Sequence, residues 1–340
     1  MELDELEAKA RELLPQDVYD YVAGGAVDEL TMADNRAAWD RVRLRPRVLR
    51  DVRAVTTSTA VLGAAVAHPI GVAPTAFHRM CHDGGEPATA AGAADAGALF
   101  VLSTRSTAPM EDVAEAMGDA PWWFQVYVLN DRDLTESFVR RAAAAGARAL
   151  VLTGDTPVLG RRLRDIRNRF VLPSHLGTIE SLDRPGNLAD QAAGVTFEDV
   201  AWLARTAELP VVVKGVLRAD DARQCVGAGA AAVWVSNHGG RQLDGAIATA
   251  DALGEVVDAV GSAAEVYVDG GVRRGTDALK ALAMGATAVF VGRPVAWGLT
   301  VGGRDGVRGV IDGFRAELEL AMALAGATTV DEVTPDLIAR

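Results

Sequence analysis

From Pro69 onward, short apolar runs of strand length recur along the chain, each followed by Gly, Pro, Ser or Thr and then by an Ala-rich stretch with helical periodicity. There are eight: PIGVAP from Pro69, ALFVLST from Ala98, WWFQVYV from Trp122, ALVLTGD from Ala149, PVVVKG from Pro210, AVWVSNHGG from Ala232, VYVDGG from Val266 and AVFVGRP from Ala288. Most are apolar on both faces, the pattern of parallel strands wrapped by helices. Several helices end in one signature before the next strand: DAGA at Asp95, AAGA at Ala144, GAGA at Gly227 and AMGA at Ala283. In each, Gly supplies the left-handed cap that turns the chain back.

Strand-helix units in this order predict an α/β fold, a TIM or (β/α)8 barrel; an open doubly wound sheet satisfies the same count. We expect one domain over residues 1–340, with N-terminal helices and a floor hairpin in 1–68, the barrel in 69–300 and C-terminal helices in 301–340. Short helices run to about Trp39, the first periodic through Leu3, Leu6, Ala10 and Leu13. An extended stretch then turns at Gly63 in a hairpin placed to plug the barrel floor. After the fourth strand the segment from Val171 to Gly194 has little periodicity and several breakers, so it reads as a lid on the rim or as structureless filler.

Composition narrows the function classes. Against 34 basic residues stand 46 acidic ones, a net charge of -12 that repels a phosphate backbone and argues against nucleic acid as a partner. The two cysteines, Cys81 and Cys225, are far apart and fit free, packed thiols in a reducing cytoplasm. The acidic N-terminus does not resemble a secretory signal, and no apolar stretch reaches the length of a membrane span, so stable membrane insertion is not expected.

In such a barrel the reactive groups come from the carboxyl ends of the strands. Of five histidines only His238 directly follows a strand, beside Gly239 and Gly240, which let a planar ligand approach the backbone; a structural histidine is the alternative. Asp155 ends the fourth strand, where it either orients His238 across the barrel mouth or caps its own loop. Lys214 is a charge at the end of a buried strand and implies an anionic neighbour, a reduced flavin edge or a Schiff-base substrate. DGGVRRG from Asp269 and VGRP from Val291 gather glycines and arginines where these barrels hold phosphate, with Arg273 or Arg293 neutralising its charge. The run RRLRDIRNRF holds five arginines in nine positions. It reads as a solvated face, or as the source of one guanidinium that clamps a carboxylate together with Arg241. Cys81, His82 and Asp83 adjoin, but three consecutive residues do not easily wrap a metal ion, and none is expected.

Taken in order, APTA at Ala73, QVY at Gln125, TGDTP at Thr153, GRRLRDIRNRF at Gly160, VKG at Val213, SNHGGRQLD at Ser236, DGGVRRGTD at Asp269 and VGRP at Val291 resemble the FMN-dependent 2-hydroxy acid oxidases and dehydrogenases. That is the group of glycolate oxidase, lactate oxidase and mandelate dehydrogenase, and the likeness runs from Val18 almost to the C-terminus. It implies oxidation of an (S)-2-hydroxy acid to the 2-keto acid, with oxygen, a quinone or another carrier taking the electrons, in a cytoplasmic homotetramer. It implies His238 as base and Asp155 as its partner, with the substrate held by Arg241, Arg162, Tyr21 and Tyr127; Tyr21 has no support apart from the resemblance. It places the FMN ring near Ala73, Pro74, Thr75, Ala76, Ser103, Gln125, Thr153 and Lys214 and the phosphate at Gly271, Arg273, Gly292 and Arg293, with Ser236, Gly239 and Asp269 also among the cofactor-binding residues.

Arg105 departs from the pattern, standing where glycolate oxidases carry a large aromatic residue. It points either into the pocket, favouring a substrate with a distal polar or acidic group, or outward into water. Within the wider group of FMN barrels the alternatives are an oxidase of a peptide-derived or amine substrate in cofactor maturation and a flavin-binding barrel without turnover.

Overall fold

A computed structural model describes residues 2–173, 176–177 and 191–339. Most of the segment read as a lid, with His175 in it, lies outside the described residues.

All eight apolar runs are strands. They are β3 (Ile70–Val72), β4 (Phe100–Leu102), β5 (Trp122–Val126), β6 (Leu150–Thr153), β7 (Val211–Val216), β8 (Ala232–Val235), β9 (Glu265–Val268) and β10 (Ala288–Val291). They pair in parallel and in sequence order, and β10 returns to pair with β3, so the sheet closes into a (β/α)8 barrel and the open alternative is set aside. Gly97, Gly146, Gly229 and Gly285 all adopt positive φ, and each following residue donates its N–H to a carbonyl five residues back, as Ala98 does to Ala93. This is the helix-ending motif that the repeated signature predicts.

Inside the barrel, Trp123, Trp234, Tyr267 and Phe290 fill space that branched aliphatic residues more often occupy, with Trp234 and Phe290 centred 4.0 Å apart. Gly71 on β3 makes room for them, since a Cβ there would lie 2.4 Å from the Phe290 ring. The floor is closed by the hairpin β1 (Thr59–Val61) and β2 (Ala64–Val66), whose Val61 and Val66 pack into this interior cluster. Leu62 in its turn donates to the carboxylate of Glu265, which also accepts the Tyr267 hydroxyl at 2.8 Å. The hairpin is thereby tied to the foot of β9.

Before the barrel come α1 (Leu3–Leu13), α2 (Gln16–Ala23) and α3 (Leu30–Arg41). At the other end a long helix runs Arg293–Ala325 and bends at Gly302–Gly303, where φ and ψ leave the helical region. Among the described residues no helix is long and apolar enough to cross a membrane.

Candidate active site

The carboxyl ends of the strands open into a cavity of about 740 Å³, a size typical of cofactor and small-molecule sites. Its floor is a chain of polar side chains, one from the end of each of six successive strands. Gln125 takes hydrogen bonds on its carbonyl oxygen from Ser103 Oγ (3.2 Å) and the Thr104 N–H, and its amide donates to Thr153 Oγ1 at 2.9 Å. Lys214 Nζ donates to Ser236 Oγ at 2.8 Å, Ser236 donates to Asp269 at 2.7 Å, and Lys214 and Asp269 form an ion pair at 3.3 Å. A buried ammonium is thus neutralised and oriented, with a further N–H to offer.

Asp155 and His238 meet above this floor. His238 Nδ1 lies 2.9 Å from Asp155 Oδ1, which also accepts from Thr156 Oγ1 at 3.0 Å. An ionised carboxylate only accepts, so Nδ1 carries the proton and Nε2 keeps its lone pair. Burial, the largest influence, pushes the His238 imidazole down; Asp155 pulls it back up, and Lys214 and Arg162 push it down again, leaving it below its ordinary value. Burial alone would raise the Asp155 carboxyl, but the charge and hydrogen bond of His238, then Lys214 and Thr156, outweigh it and hold it below the usual carboxylate range. The pair therefore stands as neutral imidazole and carboxylate at neutral pH. Two backbone features place it. His238 itself has φ 59, a left-handed conformation rare for a side-chain-bearing residue. Gly215, at φ 106 beside an irregularity in β7, leaves room that a Cβ, 2.6 Å from that of Asp155, would take away.

Besides Lys214 and Arg105, the cavity is lined by Arg162, Arg241, Arg273 and Arg293. Arg241 lies over the Tyr21 ring at 5.0 Å and Arg162 over the same ring at 5.9 Å, while Tyr21 stacks on Phe170 at 4.6 Å. The Arg162 Nε is buried with no hydrogen-bond partner, a donor in want of an acceptor. Arg241 spends one nitrogen on the carbonyls of Tyr21 and Gly24, and burial, then Arg162, pushes it down to about 10. Arg273 is pushed down to about 10 by burial and then by Arg36, and Arg293 to about 9 by burial and then by Arg241 and Arg273. Guanidinium groups stay protonated at such values; the depression reflects first the burial of these charges and then the neighbouring arginines, and a bound anion relieves both.

The arginine run splits in space. Arg161, Arg167 and Arg169 are exposed, Arg164 pairs with Glu29 and with Asp20 at 3.4 Å, and Arg162 alone lines the cavity. Arg105 is half-buried and lines the cavity, with its guanidinium 6.0 Å from the centre of the Tyr127 ring; the outward alternative is set aside. Of the cofactor residues expected from the sequence, Ala73, Pro74, Thr75, Ala76, Gly239, Gly271 and Gly292 all line the cavity. Ser236 reaches it through its contact with Lys214. Arg293 differs in aim, because three of its N–H groups go to the carbonyls of Val22, Gly24 and Gly239, leaving two for a ligand. Both thiols are pushed up to about 12 by burial, and among the described residues no cluster could hold a metal ion.

Several residues that shape the site are invisible to motif reading. Asn35 on α3 exchanges side-chain hydrogen bonds of 2.8 Å with Asn237, and Trp39 Nε1 donates to the Gly270 carbonyl at 2.8 Å. The N-terminal helix thus clamps both glycine loops. Gln242 donates to the Asp155 and Val158 carbonyls and accepts from Gly160, fixing the loop after β6. Asp165 lies beside Arg162 and Arg241, its carboxyl raised by burial against the pull of both guanidiniums.

Fold and site together describe a (β/α)8 barrel whose mouth pairs a histidine with a carboxylate and gathers cations suited to an anionic ligand. The profile of the FMN-dependent dehydrogenases matches residues 10–340. An L-lactate oxidase of Nostoc sp. is 48% identical over 97% of this chain and 96% of its own length. Glycolate oxidase 1 of Zea mays is 49% identical, covering 97% of this chain and 93% of its own. The crystal structure of a mandelate oxidase with (S)-2-phenylpropionate superposes with TM-score 0.92 at 43% identity, over 99% of this chain and 97% of that one. The chain belongs to the FMN-dependent dehydrogenase family, and is an FMN-dependent oxidoreductase.

Proposed function

We propose that this protein oxidises an (S)-2-hydroxy acid to the 2-keto acid, with His238 as the base. The observation that carries the reading is the His238 Nδ1–Asp155 hydrogen bond of 2.9 Å, which leaves a basic Nε2 in a cavity that Arg162 and Arg241 also line.

FMN fits the chemistry of the donors: Gly271, Arg273, Gly292 and Arg293 would hold the phosphate, and the polar floor from Ser103 to Asp269 would carry the ring. Lys214 would offer its further N–H to the edge of the ring where negative charge gathers on reduction. Bound there, the cofactor would supply a two-electron acceptor, with oxygen or another carrier as the final acceptor. The protein does the rest. Arg162 and Arg241 clamp the substrate carboxylate, the unpartnered Arg162 Nε finding its acceptor there. Tyr21 and Tyr127 hydrogen-bond the substrate's oxygens. Neutral His238 takes one of the two departing hydrogens as a proton at Nε2, and Asp155 stabilises the imidazolium that results. The second hydrogen and two electrons leave the substrate as its C–O bond becomes a carbonyl, and the bound cofactor would take them up.

Anaerobic mixing with a panel of 2-hydroxy acids tests this by the bleaching of the flavin. His238→Ala is expected to keep its yellow colour and to lose reduction by substrate by about 100-fold or more. Reduction at a near-normal rate would remove His238 from the role.

A further inference from the structure

The two guanidiniums assigned to the substrate carboxylate already have a carboxylate of this chain beside them. Asp165, on the short helix Leu163–Asn168, lines the cavity together with Arg162, Arg241 and Tyr21. Its Oδ2 lies 4.0 Å from Arg162 Nη1, at the limit of an ion pair and beyond hydrogen-bond reach. The Arg162 Nε is buried with no hydrogen-bond partner. Both side chains are largely covered, Arg162 being 11% exposed and Asp165 20%, so their charges are only weakly screened by solvent. The influence reaches both arginines. Burial raises the Asp165 carboxyl most, Arg241 and then Arg162 draw it down, and Asp20 on α2 raises it again. Asp165 in turn supports the charge on Arg241 against burial and against Arg162. Placement in the first turn of a helix explains an acidic residue here, but not one that lines the cavity beside two arginines.

A substrate carboxylate clamped by Arg162 and Arg241 shares them with this fixed negative charge. Resting on the function proposed above, we propose that Asp165 is a competing anion built into the clamp, which weakens its hold on the 2-hydroxy acid and on the 2-keto acid alike. Asp165 acts through the two arginines as a positioning residue and takes no part in the proton or electron transfer. Without it, two covered guanidiniums would face a single carboxylate. The keto acid, which keeps that carboxylate, would then leave slowly.

The test uses the FMN-loaded enzyme and oxamate, a singly charged relative of pyruvate with no hydroxyl to oxidise. It is titrated calorimetrically into the parent and into Asp165→Asn, which keeps the shape and removes the charge. Oxamate should bind the variant about 10-fold more tightly at pH 7, and KM for anaerobic flavin reduction by a 2-hydroxy acid should fall with it. A residue that merely held Arg162 in place would give the opposite sign, because its loss would loosen the clamp. Should Asp165→Asn fail to fold, Asp165→Ala takes its place with the same expectation. Protonation does to the parent what the substitution does. The parent-to-variant ratio of Kd should therefore shrink toward one as the pH falls from neutrality through the raised Asp165 value. His238, Asp155, Arg162, Arg241 and Asp20 are present in both proteins and cancel in that ratio. Equal or weaker oxamate binding in the variant, no binding by either protein, or a ratio that does not change with pH overturns the proposal. If no hydroxy acid bleaches the flavin although dithionite does, the hydroxy acid reading fails, and oxamate still decides on Asp165 alone.

Discussion

The base works because one nitrogen of His238 is committed and the other is not. Asp155 holds the proton on Nδ1 and, as a charge, pulls the imidazole's pKa back up against burial. Asp155→Asn keeps the shape but loses the charge, so His238 should lose its proton at lower pH than in the parent enzyme. The rising acid limb of kcat/KM for flavin reduction is therefore expected to move to lower pH, while the plateau drops by about 100-fold or more because the imidazolium formed in the reaction loses its counter-charge. A limb displaced to higher pH, or an unchanged plateau, would show that Asp155 acts otherwise. Both residues were legible in the sequence because each directly follows an apolar run. Their contact, between residues 83 apart, was legible only as a consequence of the barrel. Gly215, whose missing Cβ lets Asp155 in, looked like ordinary turn punctuation. Asn35 and Gln242 carry no local signal, since their partners lie on elements remote in sequence.

At the scale of elements, the strands and helix ends could be read because burial on both faces removes the alternation of polar residues and because the glycine caps repeat. Closure could not, since it depends on the pairing of β10 with β3, and the aromatic filling of the barrel became visible only with the register known. His68 shows how an element's foot is anchored. Its Nε2 faces the Ala96 carbonyl at 3.1 Å and its Nδ1 accepts from Ile70 N–H at 3.3 Å, so both nitrogens are satisfied in the neutral ring and an added proton at Nδ1 would face another donor. Burial, the largest influence, pushes His68 from 6.5 down to about 4. Between these two pH values the unfolded chain binds a proton that the folded chain refuses. This contribution to stability is intact above the upper value and shrinks as the pH falls, by on the order of 3 kcal/mol across the window. Urea unfolding of the parent and His68→Asn should accordingly show a stability gap that narrows from pH 7 to pH 4; parallel decline of the two proteins would assign the acid sensitivity to other groups.

Across the whole molecule, charge is distributed unevenly. The chain carries a net charge of -12, yet Arg241, Arg273 and Arg293 line one cavity and are all pushed down, first by burial and then by neighbouring arginines, Arg162 for Arg241, Arg36 for Arg273, and Arg241 and Arg273 for Arg293. Such an arrangement opposes folding and favours binding, because a phosphate dianion between two guanidiniums removes the repulsion and meets donors already in place. FMN is then expected to raise Tm as it binds, since it binds the folded chain alone. The sharper consequence concerns Arg273→Met, which keeps most of the side-chain volume while deleting a buried cation. Stripped of flavin, this variant should melt a few degrees higher than the parent, at about 2–4 °C per kcal/mol for a chain of several hundred residues. Its affinity for FMN should nevertheless fall by about 10- to 100-fold as a charge-assisted contact to phosphate disappears. Calorimetry of the two apoproteins, with a fluorescence titration of free FMN, separates the effects. A lower apoprotein Tm in Arg273→Met would mean that this arginine supports the fold in its own right, and that the surplus of positive charge does not oppose folding.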